Sequence, residues 1–159
     1  MDGVILVLGI VNAMGAALSA GALFAFSSFV MDGLGRTPDE VGLTAMQGIN
    51  LAAPSPLFML ALLGTAVTSA VVGVLAVARW DEPGSPWMVL GAALYLLSVA
   101  ITVAYHVPRN NALAALDPAT PASAAQWRRY HRDWTRMNHV RVLVALAAAV
   151  VFTLGFRLA

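Results

Sequence analysis

Between Asp2 and Asp32 the chain carries no charged residue. At ~1.5 Å per residue, a helix of that length crosses a hydrocarbon core of ~30 Å with some tilt. Three further apolar stretches follow, at about 57–78, 87–107 and 139–156, the last with Arg141 near its start, separated by polar, Gly- and Pro-containing links. A backbone in lipid must satisfy its own N–H and C=O groups, so continuous apolar runs of this length are helices. The predicted fold is all-α, a transmembrane four-helix bundle with short interfacial helices, forming a single integral membrane domain over residues 1–159. Composition agrees: 60% of the residues are hydrophobic and 11% charged, against roughly 25% charged in an average soluble domain.

Several classes of chemistry fall away at this point. The chain has no cysteine, which excludes disulfides, thiolate nucleophiles and cysteine-held metal clusters. Its net charge of +1 gives no basis for nucleic-acid binding. The expected partners are the bilayer and a hydrophobic small molecule, with a homo-oligomer left open. Asp2 stands where a secretory leader would carry a basic residue, and the first apolar run is about twice as long as the apolar core of a leader, roughly 7–15 residues, so the first segment is expected to stay as a span.

Polar residues inside the runs are few and spaced. In the first span Gly9, Ala13, Ala17, Gly21 and Ala25 recur every fourth residue and predict a small-residue packing ridge, with Asn12 and Ser19 on a separate face as hydrogen-bonding glue or as site residues. In the second, Thr65, Ser69 and Gly73 read as a packing seam. In the third, Gly91, Tyr95, Ser98, Thr102 and Tyr105 alternate spacings of four and three, which places a hydroxyl-lined face toward the bundle interior or a cavity. Val41–Ala53 is too short to span and is expected to lie at the bundle mouth, with Gln47 and Asn50 facing water or turned back toward a site.

Charge is concentrated in one place. Trp127 to Arg141 holds five of the nine arginines and two of the three histidines. Read as one helix, it puts Trp127, His131, Trp134, Asn138 and Arg141 on one face and Arg128, Arg132 and Arg136 on a neighbouring one. Short interfacial helices are expected near 41–53 and 122–135, with 112–121 as a loop. Four spans place Arg36, Arg109, Arg128, Arg129, Arg132 and Arg136 on one side and Arg79 and Arg157 on the other. The positive-inside rule then makes loops 32–56 and 108–138 cytoplasmic in a multi-pass cell-membrane protein.

The segments Val107-Pro-Arg-Asn-Asn-Ala-Leu113 and Trp134-Thr-Arg-Met-Asn-His-Val-Arg141, each beside a span, together with Phe26-Ser-Ser-Phe29 at the end of the first span, resemble the anthrone oxygenase-like family of small four-span membrane proteins. The resemblance covers essentially the whole chain. It implies, for some members, oxidation of three-ring anthrones to anthraquinones with O2, and it carries no set of catalytic residues.

On chemical grounds such a reaction needs a base and a holder of negative oxygen, and no bound cofactor. The candidates are His139 or His131 as base, Arg141 for the oxyanion, and Asn138, Asn110 and Asn111 as donors, with Tyr105 and Trp134 stacking on the rings and Gln47 reaching in from the mouth. Two alternatives stand beside this reading. One is a haem protein using His106 with His131 or His139, although three histidines without acidic residues in the spans make a poor metal set. The other is a non-enzymatic scaffold, accessory or transport-related protein in which Arg141 reaches to lipid phosphate.

Overall fold

The computed structural model describes residues 3–158; Asp2, used above against a leader, lies outside them. The described residues form helices joined by short turns: α1 (Gly3–Gly35), α2 (Asp39–Ala52), α3 (Pro56–Val77), α4 (Ser85–Ala114) and α5 (Pro121–Arg157). All but α2 are long and apolar enough to cross a membrane. Each of the four packs against two others in a closed up-down ring, α1 with α3 and α5, α4 with α3 and α5. Large apolar side chains that pack on nothing, such as Met14, Leu57, Val74 and Leu143, point outward all round, where lipid replaces water as their solvent.

The inward faces repeat with the period of a bundle seam. In α1 the buried positions run Ile5, Gly9, Asn12, Ala16, Ser19, Leu23, and in α5 Asn138, Arg141, Ala145, Ala148, Phe152, Gly155. Alternating steps of four and three average 3.5 residues, which keeps one stripe against a neighbouring helix. The expected ridge is therefore corrected: Ala17 and Gly21 are exposed, while Asn12 and Ser19 lie on the packing face itself. A step of four residues advances about 40° beyond a full turn each time, so a strict every-fourth pattern rotates off the interface. Small residues still set the close approaches: the Phe152 ring lies on Gly91, where a Cβ would come within 2.8 Å of it.

Two boundaries also move. The chain does not leave the helix at Val107: α4 runs on through Pro108 to Ala114 by widening into a π-helical turn over Thr102–His106. Proline has no N–H and its ring clashes with the carbonyl four residues back, and a π-turn just before it absorbs both defects. The arginine segment and the last span are one helix, with Thr120 as its N-cap accepting from the Ser123 N–H and Pro121 in its first turn, a strong start signal. At 37 residues α5 is about 55 Å long and projects well past the bilayer core. Its projecting half, the ends of α1 and α4, and α2 build a second small core around Met31, Leu43, Leu113, Trp127 and Trp134, separate from the one between the spans.

Candidate functional site

Two more π-turns, Phe26–Val30 in α1 and Leu60–Gly64 in α3, stand at the same end of the bundle as the one in α4. Three of the four spans are thus locally widened and underwound where they approach the arginine-rich side, and α5 passes straight through. Single π-turns interrupt the regular hydrogen-bond ladder and recur at functional sites.

Opposite these turns sits Arg141, 4% exposed. Its Nε lies 3.2 Å from Asn138 Oδ1 and its Nη1 3.1 Å from Thr102 Oγ1, and Nη2 also donates to Asn138 Oδ1. Asn138 is fixed in turn, its Nδ2 donating to the Leu23 carbonyl at 2.9 Å and to Ser27 Oγ at 2.8 Å. The guanidinium faces the Trp134 ring at 5.6 Å. Among the described residues no carboxylate pairs with it. A buried cation answered only by neutral acceptors and an aromatic face is held at a cost of several kcal/mol.

Trp134 links this cation to the rest of the cluster. Its Nε1 donates to Asn110 Oδ1 at 2.9 Å, and the Tyr130 hydroxyl donates to the same oxygen at 2.8 Å. The His106 ring meets Trp134 edge-on at 4.9 Å. His106 is buried, with Nδ1 3.4 Å from the Ile101 carbonyl and no hydrogen-bond partner for Nε2. Pro108 matters because α4 stays helical beyond it, which carries Asn110 one turn past His106 on the side facing α5.

The expected residues therefore separate. Arg141, Asn138, Trp134 and Asn110 come together. His139 does not join them: it is exposed, because one residue along a helix is a 100° turn away from Asn138. His131 is committed to the Met31 carbonyl at 2.6 Å and is pressed against Gly35. Gln47 donates to the Leu113 and Leu116 carbonyls at 2.9 and 3.0 Å, satisfying the open end of α4. Asn111 is exposed. Tyr105 donates to the Asp133 carbonyl at 3.3 Å and carries the Arg109 guanidinium on its ring. Thr102, Ser27 and Tyr130 belong to the cluster and are absent from the expected site residues, and His106, singled out only as a haem-ligand candidate, joins them. Thr102 was signalled by the hydroxyl-lined face of α4 and Ser27 by the Phe26-Ser-Ser-Phe29 stretch; the part played by Tyr130 is visible only in three dimensions.

The histidines do not make an axial pair for haem, since His106 lies inside beside Trp134, His131 is bound to backbone and His139 faces out. Among the described residues no three of His, Cys, Asp and Glu gather as a metal site. Outside the cluster, between the tail of α4 and the head of α5, a groove of about 260 Å³ opens beside Tyr130.

Searches of curated proteins and of solved structures return no match. The anthrone oxygenase family matches residues 57–151, a stretch that contains α3, α4 and most of α5, with every member of the cluster except Leu23 and Ser27. With that match over more than half of its length and four membrane-spanning helices, the chain is a multi-pass membrane protein that belongs to the anthrone oxygenase family.

Proposed function

We propose that this protein oxidises a hydrophobic phenolic or anthrone-like substrate with O2, without a bound cofactor, at the Arg141 cluster. The observation that carries the reading is the buried guanidinium without a counter-ion, supported by the family match. An anthrone methylene is acidic because its anion places charge on the ring oxygen. Arg141, oriented by Asn138, holds that oxygen with charge-assisted hydrogen bonds in a dry site, where they are strongest. His106, the buried histidine beside Trp134, takes the methylene proton in place of the exposed His139. The electron-rich carbanion adds O2 to give a hydroperoxide at the former methylene carbon, and loss of one water leaves the second carbonyl. One substrate and one O2 give one quinone and one water. Asn110, whose Oδ1 is occupied, keeps its amide N–H for a second substrate oxygen, and Trp134 offers ring surface. The arginine-rich end, with the site and the loops around it, faces the cytoplasm in this reading.

A second reading has its own support. Arg141 reaches Thr102 on α4 and Asn138 on α5, and its backbone carbonyl accepts from Ser98 at 3.3 Å, so it serves equally as a clasp between two spans of a non-catalytic protein. Purified protein given an anthrone under air separates the two. Oxygen uptake matched one-to-one by quinone absorbance, lost in Arg141→Ala while the thermal midpoint is kept, supports the oxygenase. Absence of turnover in wild type, or unfolding of Arg141→Ala, supports the clasp.

A further inference from the structure

The groove beside Tyr130 is built differently from the dry cluster behind it. Ala112 and Leu113 from the tail of α4 and Leu116 just beyond it give it an apolar wall, and Tyr130, 8% exposed, forms its floor. Arg109 and Arg129 reach it from opposite helices. Arg109 is held in place by donating to the Tyr105 carbonyl at 3.1 Å and by lying 3.4 Å over the Tyr105 ring. Arg129 forms no ion pair among the described residues. The one carboxylate in the lining, Asp133, is engaged by Arg132 at 2.8 Å, which leaves the groove net positive.

An apolar wall, an aromatic floor and two guanidinium groups at the rim select a flat apolar body with a negative oxygen group at its edge. A volume of about 260 Å³ suits a small ring system and is too small for a two-chain lipid. Tyr130 also connects the groove inward, since its hydroxyl and the Trp134 indole share Asn110 Oδ1.

We infer that this groove is a vestibule that binds a planar aromatic anion, a carboxylate or phenolate, at the membrane surface before it reaches, or after it leaves, the inner cluster. The inference deepens the oxygenase reading by naming an acidic form of its substrate or product, but binding in the groove is independent of turnover. Guanidinium groups at the rim attract the anion over distances comparable with the Debye length, and the apolar wall retains it.

The test uses the full chain in a neutral detergent with anthraquinone-2-carboxylate as probe. Trp127, stacked on Tyr130 at 5.9 Å, and Trp134 report binding through quenching of their fluorescence. Wild type is expected to bind the carboxylate saturably, and the Arg109→Gln/Arg129→Gln double variant about tenfold more weakly. Binding of neutral anthraquinone should change less than twofold in the same variant, which also shows that it is folded. Arg128→Gln is the control, because Arg128 is bonded to Asp39 and does not line the groove; its affinity for the carboxylate should match wild type. Unsaturable quenching, equal loss in Arg128→Gln, an unchanged double variant, or equally tight competition by a single-chain alkyl phosphate each overturns the vestibule. Turnover of an anthrone without binding of the carboxylate would sink the vestibule and leave the oxygenase standing; binding without turnover would do the reverse.

Discussion

The bundle holds two buried polar layers, and they are finished to different degrees. In the middle of the spans Asn12 Oδ1 accepts from Thr68 and Ser69 at 2.9 and 2.8 Å while its Nδ2 donates to the Leu8 carbonyl. Two turns closer to the arginine-rich end Ser19 and the Tyr95 hydroxyl lie 2.9 Å apart, and Tyr95 donates to the Leu62 carbonyl, which the π-turn in α3 presents. Every group there is neutral and has a partner. At the arginine-rich end the layer contains, among the described residues, a cation without an anion and an imidazole nitrogen without a partner. In a low-dielectric interior, polar groups that hold a fold together are saturated, and those left open carry a standing cost that a ligand can remove. The first layer reads as glue and the second as a site.

Arg141 should show the largest effect. Arg141→Met keeps length and apolar volume while removing charge and donors. Turnover of an anthrone is expected to fall by about 10²–10³, the usual loss when an oxyanion donor is removed. The thermal midpoint should hold or rise, because a buried unpaired charge has been taken away. A large drop in stability with activity per folded molecule intact would make the outer layer glue as well, and the comparison would collapse.

The inner layer should answer in the opposite way. Asn12→Leu strips Thr68 and Ser69 of their shared acceptor, and hydrogen bonds between membrane helices contribute about 1 kcal/mol each. Detergent unfolding should report a loss of about 1–2 kcal/mol, with turnover per folded molecule unchanged. Loss of turnover at full stability would move the site to the middle of the bundle.

These contrasting layers were only partly legible in the sequence. Four spans follow from hydrocarbon thickness and backbone satisfaction alone, and the i, i+3 relation already placed Asn138 and Arg141 together. The register of α1 was missed because small residues at every fourth position draw the eye to a stripe that winds off the interface, whereas the true seam mixes Ile5, Asn12 and Ser19 with Gly9 and Ala16. The path of α4 was missed because Pro108 is a sound stop signal unless a π-turn precedes it, and nothing local in Thr102–His106 announces one. That single difference decides where Asn110 and His106 lie. The spans hold no acidic residue, so the lack of a counter-ion for Arg141 was legible, whereas the unpartnered Nε2 of His106 is a property of assembled helices and had no signature in the chain order.

Asn110 sharpens the outer layer at a smaller scale. Asn110→Ala leaves the Tyr130 hydroxyl and the Trp134 indole N–H without the oxygen they share. The expected result is about a tenfold loss of turnover, since one hydrogen bond of orientation contributes about 1 kcal/mol or slightly more, accompanied by a shift of the tryptophan emission. An unchanged rate with a shifted emission would restrict the site to Arg141 and Asn138 and remove Asn110 from substrate contact.

The smallest change is expected at His139, one of the two histidines that the sequence offers as the base. His139 adjoins Asn138 in the chain but is exposed, and on a helix consecutive residues do not face one another. Side chains on the outer face of α5 meet lipid or its headgroups, so His139→Gln should alter turnover by less than about twofold and stability by less than about 0.5 kcal/mol. His106→Gln is the informative partner measurement: it keeps a polar group of similar size beside Trp134 and removes the base. Under nitrogen, wild type should speed exchange of the anthrone methylene hydrogens with deuterated water, His139→Gln should match it, and His106→Gln should fall toward the buffer rate. This isolates proton removal from the oxygen step. If His139→Gln loses the exchange and His106→Gln keeps it, the proton leaves from the lipid-facing side of α5, and the unpartnered nitrogen beside Trp134 is a packing defect instead of a base.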